Sequence, residues 1–215
     1  MKLQGVIFDA DGTLLDSMYI WETIGSDFLR SLGIEPRENL TETFRAMSLG
    51  QAARYYQTHY SVKLTADEII CGINDMIAGF YRNTVTLKPG ASVLLDALAS
   101  GGVHMCIATA TDRVLIEAVL QREGVAQYID SIFTCGEVKA GKDDPLIYET
   151  AHASLGTNKA HTLVFEDALH ALTTAHCAGF PTAAVYDPSE PRQEALRAIA
   201  DYYFKDLNQA KEKLL

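Results

Sequence analysis

Short apolar runs that alternate with helical spacing constrain this 215-residue chain more than any other feature. Residues 3–8, 103–108, 131–134, 162–165 and 182–185 read as strands. The runs are continuous, as expected of strands buried on both faces. Helical patterns follow them: 112–123 ended by Gly124, 145–154, 168–178 ended by Gly179, and a helix opened by Pro188. Repeated strand–helix units predict an α/β fold with a doubly wound, Rossmann-like parallel sheet.

Residues 17–84 break this rhythm. Ile20, Ile24, Phe28 and Leu32 recur at helical steps, and Gly33 follows as a stop. A second helical region spans 40–60, with an interruption near 48–50. Thr65-Ala66-Asp67-Glu68 is a capping box opening a third helix, with Ile69, Ile73, Met76, Ile77 and Phe80 on one side. Lys88-Pro89-Gly90 ends the stretch. The expected organisation is a core of 1–15 and 86–215 carrying an all-helical insertion, 16–85.

Composition removes several functions. Eighteen Lys and Arg against 28 Asp and Glu give a net charge of −10. A chain so acidic, with no basic run, is not expected to bind nucleic acid. No segment approaches the roughly 20 apolar residues of a membrane span, so no membrane partner is expected. The N-terminal apolar run is too short for a signal peptide. Cys71, Cys106, Cys135 and Cys177 are scattered without a C-x-x-C pair, so free thiols in the cytoplasm are expected. The expected assembly is a monomer or weak dimer.

In an open parallel sheet, ligands bind beyond the carboxyl ends of the strands. Asp9 and Asp11 follow the first strand, and Thr109 follows 103–108. Glu137 and Lys142 lie beyond 131–134, and Glu166 and Asp167 follow 162–165. Carboxylates gathered at one edge repel, and burial raises that cost. Mg²⁺, which takes a few carboxylates plus water and substrate phosphate, resolves the conflict. Lys142 suits the anionic partner. In Asp9-x-Asp11 the two carboxylates leave an extended strand end on the same side. One can attack phosphorus and carry the phosphoryl group. The other can protonate the leaving alcohol and then deprotonate water.

Other readings compete at single residues. Asp11-Gly12 alone could mark a turn. Glu137 could be a plain loop residue, and Glu166 an acid beside a helix N-terminus. Residues 136–143 nearly spell a P-loop, but Asp143 puts a carboxylate where a hydroxyl is needed.

Asp9-Ala10-Asp11-Gly12-Thr13-Leu14-Leu15-Asp16-Ser17 resembles the first motif of the haloacid dehalogenase superfamily. More narrowly, the chain resembles its subfamily I, the phosphatase and β-phosphoglucomutase-like branch with a helical (C1-type) cap after strand one. Cys106-Ile107-Ala108-Thr109 is similar to the second motif, Gly141-Lys142-Asp143-Asp144-Pro145 to the third, and Val164-Phe165-Glu166-Asp167 to the fourth. The resemblance implies a Mg²⁺-dependent phosphatase acting on a small phosphorylated metabolite through an aspartyl-phosphate. It makes Asp9 nucleophile and metal ligand. Asp11 becomes the acid/base, its carbonyl on the metal. Thr109 and the backbone of Ala110 hold phosphoryl oxygens, and Lys142 neutralises charge. Asp167 ligates the metal, with Glu166 a ligand or close partner.

There are departures. Ala168 stands where the family usually has Ser, and Asp143 where the third motif usually has Pro. Mutase relatives carry Gly-x-Ser-Arg in the cap, whose Arg holds a second phosphate. The matching stretch here is Ala46-Met47-Ser48-Leu49, without that Arg, which favours a hydrolase. Arg45 or Arg54 could substitute in a mutase. A non-enzymatic phosphoacceptor is the remaining alternative. Trp21, just past the hinge at 16–17, is expected to touch substrate, as are Arg45 and Ser48.

Overall fold

The computed structural model describes residues 2–37, 40–44, 47 and 49–215, with only the backbone at Thr41, Glu42 and Leu49. The chain opens on β1 (Gly5–Phe8) and a short β2 (Leu15–Asp16), which pairs antiparallel with β3 (Thr86–Leu87). Between these lie α1 (Met18–Ser31), α2 (Leu40–Phe44), α3 (Leu49–His59) and α4 (Ala66–Asn83). After β3 come α5 (Ala91–Ser100), β4 (His104–Thr109), α6 (Arg113–Arg122), β5 (Ser131–Thr134), α7 (Cys135–Val138) and α8 (Leu146–Leu155). The remainder is β6 (Thr162–Glu166), α9 (Leu169–Cys177), β7 (Thr182–Val185), α10 (Gln193–Ile199), β8 (Tyr202–Phe204) and α11 (Leu207–Leu214). Two compact units result: Met1–Asp16 with Val85–Leu215, and Ser17–Thr84.

In the α/β unit, six parallel strands run in the order β5-β4-β1-β6-β7-β8, flanked by helices. The order reverses around β1, where a doubly wound sheet opens a crevice. β1 is buried throughout. Ile147, Tyr148, Ala151 and Leu155 of α8, at helical spacing, pack on Ile7, Cys106 and Val164 of the sheet.

In the helical unit, Ile20, Phe28 and Leu29 of α1 and Ile69, Ile73, Ile77 and Tyr81 of α4 are buried. The capping box forms as expected. Thr65 Oγ1 accepts the Glu68 N–H, and Glu68 Oε2 accepts the Thr65 N–H. Among the described residues, no helix is long and apolar enough to cross a membrane, and the four cysteines are free thiols.

Several elements differ from the sequence expectation. α5 lies in a stretch given no element, although Ala91, Leu94, Leu95 and Leu98 form a buried helical stripe. β8 and α11 extend the domain beyond the expected last helix. Only Phe204 of β8 is fully buried, so this edge strand lacks a continuous apolar run. The helix expected at Pro188 starts at Gln193. Asp187 Oδ1 accepts the Ser189 N–H and hydroxyl, and Glu190 Oε1 accepts the Arg192 N–H. Such local bonds compete with helix.

Gly90 has φ 88°, and a Cβ there would press on the backbone nitrogen of Asn208. Gly90→Ala is expected to cost about 1–3 kcal/mol, read as a lower urea midpoint at unchanged slope. An unchanged midpoint would contradict this.

Candidate active site

The register of β1 assembles the site. Phe8 is level with Ile107 of β4 and Phe165 of β6. The Asp9 N–H continues the ladder to the Phe165 carbonyl at 2.9 Å. Asp9 therefore leaves the sheet beside Thr109 on one side and Glu166 and Asp167 on the other.

Carboxylate oxygens of Asp9, Glu166 and Asp167 lie within 4.8 Å of one another, and all three residues are buried. Lys142 Nζ donates to Asp9 Oδ1 and, at 2.7 Å, to Glu166 Oε1. The Tyr148 hydroxyl also donates to Glu166 Oε1, at 2.7 Å. Glu166 Oε2 is buried with no hydrogen-bond partner. Asp11 stands outside this trio, its Oδ2 accepting the Thr111 hydroxyl at 2.6 Å. The Thr111 N–H in turn donates to Thr109 Oγ1 at 3.1 Å. These bonds join the loops after β1 and β4.

Burial dominates the electrostatics. It pushes Asp9 up to about 7 against the pull of Lys142, with Glu166 and Asp11 adding to the rise. Burial and Asp9 raise Asp167 well above the usual range, and burial likewise raises Glu166 despite Lys142. For Lys142, burial opposes the charge, but Asp9 and Glu166 outweigh it and its pKa is raised. Both directions follow from composition. Three carboxylates share one ammonium, so the ammonium is stabilised and the carboxylates are under-compensated. Fully ionised, the group has an excess of two negative charges, which a divalent cation would cancel. An unpartnered buried carboxylate oxygen among oxygen ligands fits such an ion.

The sequence profile of the haloacid dehalogenase-like hydrolases matches residues 6–185. The chain belongs to this family. It is 26% identical to validoxylamine A 7'-phosphate phosphatase of Streptomyces hygroscopicus subsp. limoneus, over 95% of this chain and 94% of that one. It is 28% identical to hexitol phosphatase A of Escherichia coli, over 88% and 86%. A candidate beta-phosphoglucomutase from Thermotoga maritima shares the fold, with TM-score 0.86, 22% identity and coverage of 99% and 100%.

In this haloacid dehalogenase-like chain the two motif departures have structural replacements. Ala168 cannot cap α9 with a side chain, and Glu190 Oε2 accepts the Leu169 N–H instead, at 3.0 Å. Burial works against the Glu190 charge, but Arg192 and these N–H bonds bring its pKa down to about 2. Without Pro at 143, Asp144 Oδ1 accepts the Leu146 N–H at the start of α8. Glu137 takes its plainer role. It closes a capping box with Thr134 and pairs with Arg113, which with Thr134 lowers its pKa to about 2.

Of the other expected site residues, Ala110 is exposed beside buried Thr109. Trp21 is 44% exposed on α1 of the helical unit. Arg45 and Ser48 lie outside the described residues. Sequence reasoning missed Thr111, Tyr148 and Asp187. Asp187 follows β7 and raises the Asp167 pKa, so the strand-end rule could have found it. Tyr148 reads as a helix core residue, and nothing in its spacing distinguishes its hydroxyl.

The sign of the Asp9 shift sets a pH dependence. The folded chain holds this proton more tightly than the unfolded one, so the contribution to stability is lost as pH rises from about 4 to about 7. Glu137 and Glu190, with lowered values, change little above pH 5. His170, lowered by burial and Lys142, acts with the opposite sign. The expected readout is therefore the Mg²⁺-induced rise in Tm over EDTA, larger at pH 8 than at pH 5. A pH-independent rise would contradict it.

Proposed function

We propose that this chain is a Mg²⁺-dependent phosphatase hydrolysing a small phosphorylated metabolite of the sugar-phosphate class through an aspartyl-phosphate. The observation that carries this is Asp9, bonded to Lys142 inside a buried carboxylate trio with one oxygen unpartnered. Asp9, Glu166 and Asp167 would hold Mg²⁺, with the Asp11 carbonyl as a further ligand. When bound, Mg²⁺ polarises the phosphoryl group and offsets charge developing on its oxygens.

The side chains divide the reaction. An Asp9 oxygen attacks phosphorus, and the bond from phosphorus to the leaving oxygen breaks. Asp11 gives that oxygen its proton. Water then attacks phosphorus and passes a proton to Asp11, while the Asp9–phosphorus bond breaks. The net change is ester plus water to alcohol plus phosphate. Lys142 orients Asp9 and balances charge on the transferring group. The Thr109 oxygen accepts from Thr111, so its own proton is available to a phosphoryl oxygen, beside the Ala110 N–H. The helical unit acts as the cap that chooses the substrate, with Trp21 its best candidate contact. The protein works in the cytoplasm as a monomer or weak dimer.

The substrate class draws support from the named relatives, phosphatases of validoxylamine A 7'-phosphate and of hexitols. Residues 46–49 lack the Arg that a mutase would use, which supports hydrolysis.

Asp9→Asn should lower Mg²⁺-dependent phosphate release by about a thousandfold or more while unfolding stays cooperative. Retained turnover would overturn the proposal. Tyr148→Phe should weaken Mg²⁺ binding about 10–100-fold, measured by calorimetry, because Glu166 loses an orienting donor. Unchanged affinity would remove Tyr148 from the metal's support.

A further inference from the structure

Lys88 lies on the return from the helical unit, in the Lys88-Pro89-Gly90 break. Its side chain is 13% exposed, and its three protons meet three acceptors. Nζ donates to the Gly12 carbonyl at 2.6 Å, the Tyr186 carbonyl at 2.9 Å and Asp187 Oδ2 at 2.8 Å. Its own N–H donates to the Leu14 carbonyl at 2.8 Å. Asp187 is buried, and its other oxygen accepts the Ser189 N–H and hydroxyl. One residue thus grips the 10–15 turn at two carbonyls and ties it to the β7–α10 loop.

Gly12 directly follows Asp11 and has φ 78°, a region open to glycine without strain, so its backbone is fixed by hydrogen bonds rather than by a side chain. The turn closes on itself through the Leu14 and Leu15 N–H groups on the Ala10 carbonyl and the Gly12 N–H on the Leu15 carbonyl. Lys88 adds bonds to the Gly12 and Leu14 carbonyls of that turn. Thr111 holds the Asp11 carboxylate itself. A lysine that only filled space would not need three aligned acceptors. Burying its charge is tolerated only with an ion pair and complete hydrogen bonding.

We propose that Lys88 is a positioning residue, fixing the backbone at Gly12 so that the Asp11 carboxyl meets the leaving-group oxygen. This rests on the reading of Asp11 as the general acid. Removing Lys88 would let the carboxyl drift while leaving Asp9, Lys142 and the carboxylate trio in place. The loss would then fall on substrates that need a leaving-group proton.

The test compares kcat/KM for two phosphomonoesters with saturating Mg²⁺. The alcohol of sorbitol 6-phosphate needs a proton to leave, whereas the acidic phenol of p-nitrophenyl phosphate does not. The parameter covers steps only up to leaving-group departure, so later water attack does not enter it. In Lys88→Met the ratio of the first value to the second should fall about tenfold or more, part of the 10²–10⁴ that a placed acid supplies. Lys88→Met strands a buried Asp187, so Lys88→Met/Asp187→Asn is measured beside it and should show the same fall. Equal losses on both substrates would make Lys88 purely structural and overturn the proposal. Asp11→Asn separates the two claims. If it leaves the ratio unchanged, the acid assignment itself fails. If it lowers the ratio and the Lys88 variants do not, only the positioning role fails.

Discussion

The pairing of β1 between β4 and β6 is the constraint on which the rest depends. With Phe8 level with Ile107 and Phe165, Asp9 must emerge between two other strand ends. A slip by one residue would invert β1, because side chains alternate across a strand. Asp9 would then leave the crevice and Phe8 would enter it. Burial of β1 on both faces, through Val6, Ile7 and Phe8, holds the register. The hydrophobic core therefore places the charged site.

That placement has an electrostatic cost. Three carboxylates enter a buried space with one ammonium, and one carboxylate oxygen has no partner. A fold built for stability alone would put apolar groups here. Raised pKa values and an orphaned oxygen mark a place arranged for something absent from the chain, in keeping with the clustering of perturbed groups at functional sites. Around it, donors are spent with economy. Lys142 and Tyr148 both donate to Glu166 Oε1, while Oε2 is buried without a partner.

Hydrogen bonds within and between loops hold the segments around the site. Glu190 caps α9 across 21 residues, where Ala168 offers no oxygen. Asp144 Oδ1 accepts the Leu146 N–H across Pro145, at the start of α8. Lys88 reaches residues 76 and 99 positions away in the chain to join the 10–15 turn to the β7–α10 loop. The Glu190 and Lys88 bonds join residues distant in sequence, so motif reading does not register them, whereas the Asp144 bond spans two residues.

Local patterns alone determined much of this protein. Continuous apolar runs marked β1 and β4 to β7, and Thr65 with Glu68 marked the start of α4. The strand-end rule selected Asp9, Thr109, Glu166 and Asp167. Such features depend on neighbours a few residues apart, so the sequence carries them openly. α5 escaped because only the two-residue β3 precedes it, so no apolar strand run announces it, and β8 escaped because it is half-exposed at an edge. Only the tertiary structure decided which polar groups touch: Tyr148 with Glu166, Thr111 with Asp11, Lys88 with Gly12 and Asp187. Each pair is fixed by sheet register and loop closure over 18 to 100 residues. A hydrogen bond requires alignment within a few tenths of an ångström, and no one-dimensional spacing specifies that.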